Sequence, residues 1–253
     1  MTKLLAGGCS WTQKNIYITK HPEMDCSWPK WPELVIGDWD EVVNLGQGGA
    51  GQDYIIPTLM NYIMLNDDVS HIIIQLSSWY RWRTPGGFYH NPTLALYAER
   101  AGYKVNPTCP HTTLLRMAEI EDFFPTSYKS IELRLNNYLI LLNALTELCL
   151  YKDIKLIAFQ GLKFANSKLV NIDRHAYKYF VKHELFHKLD ILNNSGKIEF
   201  LNWPFVDTMS KSMDKILPSY EEGNYRISPF DNHPSEKGHR FIAEWINENA
   251  STI

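Results

Sequence analysis

Cysteine, charge of one sign and long apolar runs are all scarce in this sequence, and each scarcity removes a class of protein. The 253 residues hold four cysteines, Cys9, Cys26, Cys109 and Cys149, widely spaced and with no C-x-x-C pair. That pattern predicts free thiols in a reducing compartment and argues against a disulfide framework. No apolar run approaches the ~20 residues that span a bilayer. The first residues lack a basic segment followed by an apolar one, so no signal peptide is expected. The expectation is a soluble, cytoplasmic protein. Lysine and arginine total 25 against 28 acidic residues, a net charge of −3. Such balance leaves no polybasic surface for nucleic acid and no acidic tail, so neither nucleic acid nor membrane is an expected partner. Internal repeats, low-complexity tracts and linkers are absent too. With 45% hydrophobic residues, one domain over 1–253 with a sizeable core is expected.

What is present is an alternation of short apolar runs and helical periods. Leu4–Ala6, Glu41–Leu45, His71–Leu76, Ile154–Phe159 and Ile198–Leu201 read as strands. The third is a β-branched run of the kind buried on both faces of a parallel sheet. Between them, helices are predicted over Trp31–Ile36, Tyr54–Leu65 with Asp53 as N-cap, Ser127–Tyr151, and Arg174–Leu192, which stops at Asn193-Asn194-Ser195-Gly196. Residues 203–230 read as loop with a helical turn near Met209–Ile216. A last helix is predicted from Pro234, with Phe241, Ile242, Trp245 and Ile246 on one face. Strands alternating with helices five times over predict an α/β fold: a three-layer α/β/α sandwich around a parallel sheet of about five strands. Residues 84–125 carry many prolines and glycines around one helical window near Leu94–Arg100. They read as an insertion over the C-terminal edge of the sheet, a lid or specificity loop.

Four local patterns bear on chemistry. Gly46-x-Gly48-x-x-Gly51 matches a dinucleotide fingerprint, but it follows the second strand and no acidic residue ends the next one to hold a ribose. A phosphate loop is excluded because Gln52-Asp53 stands where lysine and a hydroxyl residue belong. The second pattern, His183-Glu184-Leu185-Phe186-His187, is a formal H-E-x-x-H zinc motif without the third ligand of its longer form. Both histidines fall off the apolar stripe of Val181, Leu185, Leu189 and Leu192, so the bland reading is a solvated helix face. The third, Trp79-Tyr80-Arg81-Trp82-Arg83, is either aromatic packing of a lid or a stacking platform for a sugar ring, with arginine for a carboxylate.

The fourth joins the two ends of the chain. After Leu4–Ala6, Gly7 and Gly8 allow a sharp turn that leaves Ser10 exposed at the sheet edge where ligands bind. A nucleophilic serine needs a base and an orienting acid, and Asp231-Asn232-His233-Pro234-Ser235 offers both. In a parallel sheet Ser10, the glycine loop, the end of the third strand and Asp231/His233 converge on one edge. Here the chain resembles the SGNH (GDSL-like) hydrolases, as ordered blocks along its whole length. Gly8-Cys9-Ser10 stands at the family's Gly-Asp-Ser, Asn44-Leu45-Gly46-x-x-Gly49 is similar to the second block, and Asp231 to Ser235 with Gly238-His239 resembles the last. The D-x-H-P form is similar to that of some bacterial and phage-encoded members, which would place a phage-encoded chain in the host cytoplasm.

The resemblance implies an esterase or acylhydrolase, possible substrates including an acetylated carbohydrate. Ser10 would be the nucleophile, His233 the base and Asp231 its orienting acid, with the amides of Ser10 and Gly49 binding the oxyanion. It implies a small-molecule or carbohydrate ester as substrate, and no metal or organic cofactor. Two departures stand out. Cys9 replaces the aspartate beside the serine. The third block, Gly-x-Asn-Asp, falls on Ser77-Ser78-Trp79-Tyr80, so Trp79 replaces the oxyanion-binding asparagine. Ser77 or Ser78 then becomes the candidate side-chain donor, with Trp79 and Arg81 as substrate contacts. Two alternatives stay open: an SGNH-fold binding or structural protein with weakened catalysis, and a zinc hydrolase built on His183 and His187.

Overall fold

A computed structural model of the chain describes residues 2–15, 23–78, 82–83, 89–90, 128–162, 170–193, 195–204, 212–229 and 231–251. In chain order the strands are β1 (Lys3–Gly7), β2 (Glu41–Asn44), β3 (Val69–Leu76), the two-residue pair β4 (Trp82–Arg83) and β5 (Tyr89–His90), β6 (Lys155–Gln160), β7 (Ile198–Leu201), β8 (Arg226–Ser228) and β9 (Asp231–Pro234). The helices are α1 (Trp31–Leu34), α2 (Gln52–Leu65), α3 (Tyr128–Tyr151), α4 (Val170–Lys182), α5 (Glu184–Leu192), α6 (Met213–Ile216) and α7 (Glu236–Asn249).

The five expected apolar runs form one sheet in the order β2-β1-β3-β6-β7, and every pairing in it is parallel. Alternate residues of β3 separate two cores. Ile72 and Ile74 pack with Ile56, Leu59 and Ile63 of α2, Leu139 and Leu142 of α3, Phe180 of α4 and Leu189 of α5. Ile73 turns the other way and joins Leu4, Ala6 and Phe159 against Trp31 of α1, Met213 of α6 and Ile242 and Ile246 of α7. Helices therefore cover both faces, which is why the central strands carry continuous apolar runs such as Ile72–Ile74 and Leu156–Phe159 instead of alternating. The result is a three-layer α/β/α sandwich. Among the described residues no helix is long and apolar enough to cross a membrane.

From β1 the chain first moves out to β2, then returns past β1 to β3. The strand order thus reverses between β1 and β3, and in open α/β sheets the crevice beyond the carboxyl ends of two such strands is where ligands sit. The residues that leave those ends are Gly8-Cys9-Ser10 and Ser77-Ser78.

Three details differ from the sequence expectation. The helix read over Arg174–Leu192 is two, because His183 breaks it in an extended conformation and caps the second. Asp53 is not the N-cap of α2; that place is taken by Gly51, and Asp53 lies in the first turn. Asp231 and His233 lie in β9, which pairs antiparallel with β8; the helix after them starts at Glu236, capped by Ser235 through Gly238 N at 3.2 Å. Of the expected insertion over 84–125, only Tyr89–His90 is described, and its backbone pairs with Trp82–Arg83.

Gly238 lets α7 close onto the segment that leads into β8. A Cβ there would stand 2.1 Å from the Tyr225 carbonyl oxygen, the same oxygen that accepts from Ser235 N at 3.0 Å. Backbone cannot yield as a side chain does. Gly238→Ala should destabilise the protein by about 1–3 kcal/mol through overpacking, lowering the melting temperature by roughly 3–10 °C. Thermal unfolding followed by circular dichroism checks this, and an unchanged melting temperature would contradict the packing of α7 on this segment.

Candidate active site

The turn after β1 is built around one buried glutamine. Thr12 N and Gln13 N both donate to the Cys9 carbonyl, at 2.9 and 3.1 Å, and this tight turn carries Ser10 at its apex. Thr12 Oγ1 donates to Gln75 Oε1 at 2.7 Å, and the buried Cys9 thiol donates to the same oxygen at 3.6 Å. Gly8 is required by this arrangement: a Cβ on it would meet Thr12 Oγ1 at 2.0 Å. Cys9, beside the serine, is thus a small buried group that anchors the turn to Gln75 of β3.

Ser10 Oγ lies 2.9 Å from His233 Nε2. On the far side of the ring, Nδ1 stands 2.5 Å from Asp231 Oδ1, which also accepts from His233 N at 3.0 Å. Asp231 and His233 are two residues apart on a strand and so share a face. The carboxylate is the more sheltered of the pair, its side chain 10% exposed against 33% for the imidazole. With a neutral ring, a carboxylate acceptor at Nδ1 holds the proton there. The Nε2 lone pair is then free to accept from the serine hydroxyl. The structure thus brings together three of the residues singled out in the sequence, from both ends of the chain.

The glycine loop runs along the other side of Ser10. Asn44 fixes its start: Nδ2 donates to the Thr12 carbonyl (2.8 Å) and to Glu33 Oε1 (3.1 Å), and Oδ1 accepts from Gly46 N (3.0 Å). Gln47 N donates to the Gly8 carbonyl at 3.0 Å. Gly48 passes so close that a Cβ on it would lie 4.0 Å from Ser10 Cβ. Gly49 has φ of +74°, a conformation that favours glycine. The amides of Ser10 and Gly49 make no hydrogen bond to another described residue.

Ser77 and Ser78 end up beneath this edge. They are 0% and 2% exposed, so neither hydroxyl stands open to an incoming molecule. The Ser77 carbonyl is gripped from two sides, by Gln52 Nε2 at 2.8 Å and Gln160 Nε2 at 3.0 Å. The expectation that one of these serines replaces the asparagine donor therefore meets a structural obstacle. They belong to the packed interior. Trp79 and Arg81 lie outside the described residues.

The H-E-x-x-H motif has a structural use. His183 Nδ1 accepts from Leu185 N at 3.2 Å as the cap of α5, and Nε2 is 3.0 Å from Asn136 Oδ1. Both ring nitrogens are engaged. His187 packs against the Phe186 ring with centroids 5.7 Å apart. Among the described residues no three His, Cys, Asp or Glu side chains cluster as a metal site requires.

Sequence reasoning missed Gln75, Gln52 and Gln160, and it missed the structural roles of Asn44 as a bridge and of His239. The glutamines had a signal: Gln75 and Gln160 directly follow the apolar runs Ile72–Ile74 and Leu156–Phe159, and a buried amide must have partners. Behind the site, His239 is 3% exposed and its Nδ1 accepts from Trp31 N at 3.2 Å. Burial, with Lys30 and His233 nearby, lowers its pKa to about 3. Lys30 is itself buried, its ammonium donating to the carbonyls of Cys26 and Trp28 at 2.5 and 2.9 Å, and burial lowers its pKa.

No family model matches the chain, and no curated protein sequence is similar to it. Solved structures do resemble it. A member of the lipolytic protein G-D-S-L family from Veillonella parvula DSM 2008 is 12% identical, covering 98% of this chain and 97% of its own, with a TM-score of 0.47. A catalytic mutant of Axe2, an acetylxylan esterase from Geobacillus stearothermophilus, is also 12% identical, covering 98% of this chain and 93% of its own, with a TM-score of 0.48.

His239 gives the stability a defined pH dependence. In the unfolded chain its pKa is near the ordinary 6.5, and in the fold it is about 3. Below pH 6.5 the unfolded chain takes up a proton that the folded one refuses, so stability is full above that pH and lost as pH falls toward 3. Protonation at Nδ1 would also break the bond from Trp31 N. His239→Gln should be less stable than the parent at pH 7, with the gap narrowing steadily by pH 4. Urea midpoints at several pH values test this, and a pH-independent gap would remove His239 from the acid response.

Proposed function

We propose that this chain is a serine hydrolase of the SGNH type, cleaving a carboxylic ester through an acyl-enzyme. The observation that carries the reading is the unbroken line Ser10 Oγ to His233 Nε2 and His233 Nδ1 to Asp231 Oδ1, at 2.9 and 2.5 Å. Its place at the strand-order reversal between β1 and β3 supports the same reading. So does the order of the Gly-Cys-Ser, glycine-loop and Asp-x-His blocks along the chain. The unit would be one catalytic domain over 1–253, with the 84–125 segment as its lid.

In the first half-reaction Ser10 Oγ attacks the ester carbonyl carbon while His233 Nε2 takes the hydroxyl proton. The tetrahedral oxyanion is met by the amides of Ser10 and Gly49. Collapse expels the alcohol oxygen, which receives the proton from His233. In the second half-reaction a water attacks the acyl-serine, again losing its proton to His233, and Ser10 leaves with that proton as the acid is released. Asp231 keeps the imidazole in the reactive tautomer and stabilises the imidazolium. This route uses no metal or organic cofactor. A small ester or an acetylated carbohydrate is the substrate class that fits.

One observation favours a second reading, a binding protein that keeps the fold with weakened catalysis. Trp79 replaces the asparagine donor, and the two neighbouring serines are buried. A fluorophosphonate probe separates the two, because it labels only an activated serine. The wild-type chain should be labelled at Ser10 and should turn over p-nitrophenyl acetate slowly. Ser10→Ala should abolish both while remaining folded. Asp231→Asn should lower turnover by roughly 10³–10⁴-fold, because it presents the wrong tautomer to the serine. A wild-type chain that resists the probe would select the binding reading.

A further inference from the structure

We infer that Arg226 is the positioning residue that holds the Asp231–His233 strand against the Ser10 turn. Arg226 is a buried residue of β8 whose guanidinium reaches three separate pieces of the site. Nη1 donates to the carbonyl of Asn232, the residue between Asp231 and His233, at 3.1 Å, and to Asp214 Oδ1 at 3.3 Å. Nη2 donates to the carbonyls of Asp214 and Leu217 at 2.8 and 3.1 Å, at either end of α6. The guanidinium carbon stands 5.7 Å from the ring centre of Trp11, the residue directly after Ser10.

The chemistry of the contact explains why an arginine is there. A planar fork presents fixed donors in several directions while its face stacks on an indole, and it is weakly hydrated enough to be buried. One group thus donates to four oxygens, on Asp214, Leu217 and Asn232. Pairing between β8 and β9 is only two residue pairs long, Arg226 with Pro234 and Ser228 with Asp231, and its register shifts between them. So short a ladder cannot alone fix a side chain to catalytic tolerance. The Asn232 carbonyl lies between the two side chains that must be placed, and Trp11 ties the same guanidinium to the nucleophile turn. A lysine at this position keeps the charge but neither the fork nor the stacking face.

The effect on turnover rests on the hydrolase reading above; the effect on His233 does not. The test uses the full chain with Arg226→Lys, and Asp214→Asn as the gentler variant should the first fail to fold. Proton NMR reads the His233 Nδ1–H, which a short bond to a carboxylate shifts far downfield and protects from exchange. The wild type should show this resonance. In a folded Arg226→Lys it should be lost to exchange, and fluorophosphonate labelling of Ser10 should slow by about 10²-fold. Turnover of p-nitrophenyl acetate should fall in kcat with KM unchanged, a split that general loosening of the fold would not give. Asp214→Asn should move all three readouts the same way by less. A folded Arg226→Lys that keeps the resonance and the labelling rate overturns the inference, as does a wild type without the resonance. If the resonance is present and lost in the variant while neither protein is labelled, the hydrolase reading fails and the positioning role stands.

Discussion

A 2.9 Å contact between residues 10 and 233 is the constraint on which the rest of the structure depends. It spans nearly the whole chain, so no local preference can form it. The turn after β1 must be in place, the β8–β9 hairpin must reach it, and α7 must seat the hairpin on the sheet. Each of those pieces is tied down by polar groups as well as by apolar packing. Ile242 and Ile246 of α7 lie in the same core as Leu4 and Ala6 of β1. The helix that follows His233 therefore shares a hydrophobic surface with the strand that precedes Ser10. The apolar layer brings the ends of the chain near each other, and the hydrogen bonds set the last ångström.

Those hydrogen bonds are unusually concentrated on carboxamides. Gln75 holds the nucleophile turn, Gln52 and Gln160 grip the Ser77 carbonyl, and Asn44 bridges the Thr12 carbonyl, Gly46 N and Glu33. An amide offers donors and an acceptor on one rigid plane without a charge to desolvate, so it can lock two loops in a dry interior at small electrostatic cost. Charged side chains in the same setting need a fuller set of partners. Lys30 has two carbonyls and the face of Trp28. The scaffold around the Ser10 turn is thus built mainly of uncharged amides, with Arg226 and Lys30 as the buried cations beside it.

The layers of the fold were legible because they are written in hydrophobic period. The five strands follow from runs such as His71–Leu76, and the helices from spacing such as Ile55, Ile56, Leu59 and Ile63 in α2. The meeting of Ser10, His233 and Asp231 was legible because the glycines after the first strand and the Asp-x-His pair before the last helix both fall at one edge of a parallel sheet. The hairpin was not, since Arg226–Ser228 and Asp231–Pro234 are too short for any period to show, and Pro234 reads as a helix start. The break at His183 was hidden because a histidine that caps a helix and one that continues it leave the same local pattern. The glutamine grip on Ser77 joins α2, β3 and β6, and only the fold reveals such a meeting.

The Asp-x-His spacing and the hairpin are one feature seen at two levels. Two residues apart on an α-helix lie on nearly opposite sides, whereas on a strand they share a face. An acid and a base at this spacing can therefore meet through a single 2.5 Å contact only if the segment is extended. An extended segment needs a partner for its backbone, and β8 supplies it. The register shift between β8 and β9 is the irregularity found where a strand must re-aim one side chain. A chain with a longer spacing could place the same pair from a loop. This one cannot, so the small antiparallel pair beside the main sheet is a condition of the site's geometry.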